Sequence, residues 1–284
     1  MMKIGTIAGW FGVGLFEGIK ASERVGATGV QLSAVNELNP KTVDSAMIEK
    51  AKKFARDHNQ VITAFGSYSF EGAEHDPRKI EYMKTVIDLA SRLECKVVPS
   101  HVGVIPDEPN EKYRAMQHAI GTVGEYAAKQ GVTFAIETGP EPIKVLKPFV
   151  DSCVGVGINY DPANLIMVLD EDVVQGVYTA KSSIVHTHAK DGVIHKYLGA
   201  EKVYDIIANA GIEELQRLGA EYMTEVRLGT GSVPWPEYLK ALKDIGFDGY
   251  LTIEREMIED RKDADADIAH AVVFLREHLD KIYK

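Results

Sequence analysis

Cysteine is nearly absent from this chain. Only Cys95 and Cys153 occur, each in or beside an apolar run. Two isolated cysteines form neither a CxxC pair nor a disulfide framework, and such usage suits a reducing compartment. Both are expected as buried thiols acting as small hydrophobes. Long hydrophobic runs are missing as well, since no stretch approaches the ~18–20 residues of a membrane span. The opening Met1-Met2-Lys3-Ile4-Gly5 leads straight into a short apolar run, with no segment long enough for a signal peptide. An excess of positive charge is the third absence. The net charge is −10 and no Lys/Arg cluster builds a local groove, so general nucleic-acid binding is disfavoured. A soluble cytoplasmic protein is expected, with no membrane and no nucleic-acid partner.

What is present is an ordinary globular composition, 45% hydrophobic and 26% charged over 284 residues, with a repeating pattern. Short apolar runs alternate with longer amphipathic ones about eight times. Strands are expected at 4–8, 29–35, 61–65, 96–102, 132–136, 154–160, 184–188 and 250–254. Helices are expected at 16–25, 46–58, 80–93, 111–129, 143–152, 172–182, 236–244 and 266–282. In the last of these, Ile268, Val272, Leu275 and Leu279 make one stripe at 3–4 residue spacing. Strands apolar on both faces and alternating with helices imply a parallel sheet. Eight such units in roughly 250 residues match a closed barrel. The expectation is therefore an α/β chain, a single (β/α)8 TIM-barrel domain over 1–284, with an open doubly wound sheet as the alternative. No linker or low-complexity tract divides it. A long loop insertion is expected after the seventh strand, at about 192–233, with a helical piece at 200–208.

Four late strands end alike. The fifth runs Thr133-Phe134-Ala135-Ile136-Glu137, the sixth Gly157-Ile158-Asn159-Tyr160-Asp161, the seventh Ile184-Val185-His186-Thr187-His188, and the eighth Leu251-Thr252-Ile253-Glu254. An apolar run stops each time on Glu, Asp, His or Glu, at the barrel mouth where such folds place their chemistry. Three carboxylates and an imidazole would repel one another there unless a cation neutralised them. The predicted ligands of one divalent metal ion are Glu137, Asp161, His188 and Glu254. Carboxylates with one His favour Mn2+, with Mg2+ or Co2+ next and Zn2+ less suited. His186 shares the face of His188, and is expected behind the ligands rather than among them.

At these residues the sequence resembles the xylose-isomerase-like barrel superfamily of sugar isomerases, 3-epimerases, inosose dehydratases and endonuclease IV relatives. The resemblance covers almost the whole chain. Its most specific pieces are His186-Thr187-His188-Ala189-Lys190-Asp191, Leu228-Gly229-Thr230-Gly231 leading to Trp235, and Gly246 through Glu254. It implies that the four residues bind one metal, and that Glu137 and Glu254 are the catalytic pair moving a proton beside a sugar carbonyl through an enediolate. Two positions depart from the free-ketose 3-epimerases. Asn164 stands where those enzymes usually carry His, and Ile194 where they carry Arg. The extra ligands of the three-metal endonucleases are missing.

Substrate contact is expected from His101, Asn164, His186, Lys190, Asp191, Arg227 and Trp10. Trp10 and Phe11 would form an apolar wall. Arg227 and Arg255 would either anchor an anionic group or form surface salt bridges. Glu141 would reach substrate or cap the next helix. Three function classes follow. The first is a metal-dependent isomerase or epimerase for a small-molecule sugar. The second is a lyase running the same enolate chemistry on an inosose-like or 3-keto sugar. The third is a metal-free, non-catalytic binding barrel. The resemblance also implies a homodimer or homotetramer.

Overall fold

A computed structural model of the chain describes residues 1–67, 70–210, 221–256 and 264–284. The elements run β1 (Lys3–Ile7), α1 (Leu15–Arg24), β2 (Gly29–Ser33), α2 (Ser45–Asp57), β3 (Val61–Gly66), α3 (Pro77–Arg92) and β4 (Val97–Ser100). Then come α4 (Glu111–Lys129), β5 (Thr133–Glu137), α5 (Ile143–Asp151), β6 (Val156–Tyr160), α6 (Pro162–Leu169), α7 (Val173–Ala180) and β7 (Ile184–Ala189). The last are β8 (Asp191–Ile194), α8 (Ala200–Ala210), β9 (Met223–Val226), α9 (Trp235–Asp244), β10 (Tyr250–Ile253) and α10 (Ala264–Ile282).

Eight strands form one parallel sheet in the order β3-β2-β1-β10-β7-β6-β5-β4. The two ends of that order meet through single main-chain bonds, from Ser67 N–H to Pro99 O and from Phe70 N–H to His101 O. The result is a nearly closed (β/α)8 barrel. The main core lies between strands and helices, with Phe65, Phe134, Phe149 and Tyr160 among its largest side chains. Inside the barrel, Ala64, Val97 and Ala135 make a small separate cluster. Ala135 precedes Glu137 by two residues on β5, so this floor lies beneath the mouth.

Capping residues start the helices where the sequence offers them. Asp44, Asn110 and Asp172 accept main-chain N–H bonds at the heads of α2, α4 and α7, which satisfies orphan donors there. Asp76 does the same ahead of Pro77, whose missing N–H is harmless in the first turn. The amphipathic stripe of α10 is buried as its spacing predicts. Both cysteines are buried free thiols, and burial pushes the Cys95 thiol up to about 12.

Two features differ from the sequence reading. A helix, α6, follows β6 directly, whereas only the helix of α7 was expected there. Its sequence Pro-Ala-Asn-Leu-Ile-Met-Val-Leu is buried almost all round, so no polar face marks the helical period. The segment after β7 is also more ordered than a loop. β8 pairs antiparallel with β9, Asp191 opposite Val226 and Ile194 opposite Met223, and α8 covers the helical piece expected there. Residues 211–220 of that insertion lie outside the described residues. Among the described residues no helix is long and apolar enough to cross a membrane.

Candidate metal centre

The ends of β5, β6, β7 and β10 bring Glu137, Asp161, His188 and Glu254 together. Each offers a ligand atom, and these atoms all lie within 4.8 Å of one another. All four side chains are buried. His188 Nδ1 lies 3.2 Å from Glu137 Oε1 and 3.1 Å from Glu254 Oε2. Asp161 divides its two oxygens. Oδ1 accepts from the N–H groups of Ala163 and Asn164 at the head of α6, while Oδ2 lies 3.3 Å from Lys190 Nζ. The helix after β6 thus fixes the carboxylate that faces the centre.

The imidazole is oriented from behind. Gln31 on β2 has its Oε1 3.1 Å from His186 Nε2 and 3.2 Å from His188 Nε2. With Nε2–H donated to Gln31, Nδ1 is the nitrogen turned to the carboxylates, and it would release its proton to ligate an ion there. Gly66 on β3 makes room for this arrangement, because a Cβ there would stand 3.2 Å from Gln31 Nε2. Asn159 on β6 places its Nδ2 3.3 Å from the ring nitrogens of His188. Gln31 and Asn159 were not anticipated. Their only signal is a single polar residue inside an otherwise apolar strand.

Burial and charge work against each other here. Burial pushes the Glu254 carboxyl up, but His188 and Lys190 outweigh it and hold the group well below its usual range. Burial also pushes Glu137 up, and His101 and His188 outweigh it, leaving it lowered. Asp161, for which burial wins over Lys190, is raised to about 7. His188 is pushed down by burial, yet Glu254 and Glu137 hold its proton well above the normal range. Burial drives His186 down to about 3, helped by His188, so it is neutral.

The residues present fit one divalent ion. Donors around such an ion stand about 2.0–2.2 Å from it, so opposed donors lie up to about 4.3 Å apart. The observed spread needs only a small contraction. The donor chemistry fits as well. The cluster has three carboxylates and Lys190 lies against two of them, Asp161 and Glu254, so buried negative charge remains for a divalent cation to neutralise. Glu137, Asp161, His188 and Glu254 would hold the ion.

The seven expected substrate contacts separate into four groups. His101 and Trp10 lie at the mouth. His101 Nε2 is 3.7 Å from Glu137 Oε2, and its side chain stays partly exposed. Trp10 lines a cavity of about 450 Å3 between the loops after β1 and β2, together with Ile7, Leu15, Ser33 and Leu38. Phe11 beside it is buried core. Asn164 and Lys190 are woven into the centre. Asn164 Nδ2 reaches Glu137 Oε1 at 3.3 Å and Thr138 O at 3.2 Å, and its Oδ1 accepts from Lys190 at 3.3 Å. His186 stands behind the centre on Gln31.

Asp191 and Arg227 are engaged by groups of the protein outside the four-residue cluster. The Asp191 carboxylate accepts from the N–H groups of Gly192, Gly229, Gly231 and Val233 and from Trp235 Nε1, at 2.8–3.2 Å. It organises the Leu228-Gly229-Thr230-Gly231 turn. Gly229 has φ 85°, and any Cβ on Gly231 would collide with the Asp191 carboxylate, so both glycines are required. Arg227 pairs with Asp267 at 3.3 Å. Arg255 pairs with Glu225 and Asp267, so both arginines form ion pairs within the protein. Glu141 caps no helix, since Glu171 serves Ile143 N–H at the head of α5.

The chain belongs to the xylose isomerase-like TIM barrel family, whose model matches residues 19–278. An uncharacterized protein of Methanocaldococcus jannaschii is 24% identical over 195 residues. That match covers 64% of this chain and 58% of that protein, so the chain spans little more than half the relative's length. A xylose isomerase domain protein from Planctomyces limnophilus has a similar structure, with TM-score 0.78, 22% identity, and 99% and 98% of the two chains covered. D-psicose 3-epimerase of Clostridium cellulolyticum H10 follows, with TM-score 0.74, 16% identity and 98% and 99% covered. A probable 3-DHS dehydratase of Bacillus anthracis has TM-score 0.73, 18% identity and 94% and 97% covered. At such identities the likeness concerns the fold.

Proposed function

We propose that this chain is a divalent-metal-dependent isomerase or epimerase acting on a keto sugar or sugar derivative through an enediolate, with Mn2+ the favoured ion. The observation that carries the reading is the disposition of Glu137 and Glu254. They rise from separated strands, meet at His188 from two sides, and are both held ionised in a buried site. When bound, the ion would polarise the substrate carbonyl and its neighbouring hydroxyl. One carboxylate then takes the proton from the carbon beside the carbonyl. The other returns it, on the opposite face in an epimerase. His101 borders the Glu137 side, and Trp10 would wall the substrate from the loop after β1. The same reading includes assembly as a homodimer or homotetramer.

A lyase is the second reading, favoured by Asn164 and Ile194 at positions where the free-ketose epimerases hold His and Arg. Incubating the Mn2+-loaded protein with a panel of ketoses and inososes in deuterated water tests both. The expected result is deuterium beside the carbonyl without loss of water, abolished by chelation and slowed roughly 100-fold or more in Glu137→Gln and Glu254→Gln. Loss of water from a panel member would move the assignment to a lyase. If the protein takes up no Mn2+ and no compound exchanges, the enzyme reading fails in favour of a metal-free binding barrel.

A further inference from the structure

Lys190 is the cation of the described centre that no ligand role accounts for. It follows His188 by two residues on the β7 strand end and is buried to 2% exposure. Its Nζ lies 2.9 Å from Glu254 Oε2, 3.3 Å from Asp161 Oδ2, 2.9 Å from Glu256 Oε2 and 3.3 Å from Asn164 Oδ1. An ammonium has three donors, and four protein oxygens already surround this one, so none remains for a substrate. Asp161 Oδ2 and Glu254 Oε2 make no well-directed hydrogen bond among the described residues. Charge, rather than bond direction, therefore keeps the nitrogen between them.

Four oxygens from three carboxylates and one amide, converging on one point, are what a hard divalent cation takes. Two of them, from Asp161 and Glu254, belong to residues that also face the four-ligand position. A carboxylate shared between neighbouring cations is the arrangement of paired-metal sites. We propose that Lys190 is a built-in second cation of this centre: its ammonium fills the place a second divalent ion would take between Asp161, Glu254, Glu256 and Asn164, and so limits the centre to one ion. This rests on the metal reading above. It makes Lys190 a positioning residue that acts through Asp161 and Glu254. Glu256 is the discriminating group, because it touches the lysine position and not the four-ligand cluster. Its main-chain N–H is held by the buried Glu225, which keeps that strand end in place when the lysine is removed.

Calorimetric titration of the full chain with manganese chloride, cross-checked by elemental analysis after desalting, tests the inference. The wild type is expected to bind one ion per chain and Lys190→Ala two. The second is expected to disappear in Lys190→Ala combined with Glu256→Gln. One ion in both wild type and folded Lys190→Ala would overturn this inference and leave the metal centre standing. Two ions in the wild type would overturn it also, and none in the wild type would overturn both readings. If Lys190→Ala does not fold, Lys190→Met keeps the side-chain volume and removes only the charge. It is expected to bind one ion about tenfold more tightly than wild type, because a competing positive charge is gone. Weaker binding by Lys190→Met would mean that the ammonium does not stand in for a cation.

Discussion

Asp161 and Asp191 are both buried acids at the mouth of this barrel, one beside β6 and one just beyond β7, and their surroundings are opposite. Asp191 is saturated by five N–H donors, four of them main chain. Its charge is settled by the polypeptide, and it holds the 229–233 turn and Trp235 in place. Asp161 spends one oxygen on the head of α6 and turns the other toward Lys190 and the remaining carboxylates. Its charge needs a cation. Glu141 settles its charge in a third way. It has one long bond, 3.4 Å from Ile105 N–H, and an oxygen with no partner among the described residues. Burial pushes it up to about 8, so it keeps a proton instead. A carboxylate saturated by N–H donors is architecture, one that keeps a proton is neutral filling, and one with an oxygen left among other buried carboxylates is where an ion would fit.

Asp191→Ala strands five donors, so a loss of about 3–4 kcal/mol in unfolding free energy is expected in urea titration. The number of Mn2+ ions bound by the folded fraction should stay unchanged. Loss of metal binding with little loss of stability would mean that Asp191 serves the centre after all.

Glu141 sharpens the comparison through pH. Its carboxyl is raised in the folded chain from the ordinary 4.5 to about 8. The folded state therefore holds one more proton than the unfolded state between those values. The stability it contributes is complete below about 4.5 and is lost as pH rises toward 8. Glu141→Gln removes this dependence. Relative to wild type, the variant should gain about 2 kcal/mol between pH 6 and pH 8, read from urea midpoints. Parallel curves for the two proteins would show that Glu141 carries a charge when folded.

Much of the centre was legible in the sequence, for a definite physical reason. Parallel strands buried on both faces are apolar throughout, so the first ionisable residue after each run stands out. That exposes Glu137, Asp161, His188 and Glu254, and it also exposes Asp191, which has the same local appearance. Only the partners tell them apart, and those partners lie some forty residues along the chain, at Gly229, Gly231, Val233 and Trp235. The β8–β9 pair escaped for a similar reason, since nothing local to residues 191–194 announces pairing with 223–226. The helix α6 escaped because it is buried all round, although Asp161 and Pro162 are a cap and first-turn pair that mark its start.

Gln31 gives the smallest and most pointed effect. Two strands, β1 and β10, lie between it and His188 in the sheet order and it contributes no ligand atom, yet its one oxygen meets both histidines. If it selects the tautomer that presents Nδ1 of His188, then Gln31→Met, similar in volume and without the acceptor, frees the ring to turn. Groups that orient a metal-bound histidine typically matter by 10- to 100-fold in affinity, and a single neutral acceptor shared between two rings belongs at the low end. About tenfold weaker Mn2+ binding is therefore expected by calorimetry, with Gln31→Glu restoring it because a carboxylate accepts at the same position. Should Gln31→Met bind as tightly as wild type, Asn159 would be the group that orients His188, and the contrast drawn above would extend to the imidazole: its orientation would come from the neighbouring strand β6, just as α6 fixes Asp161.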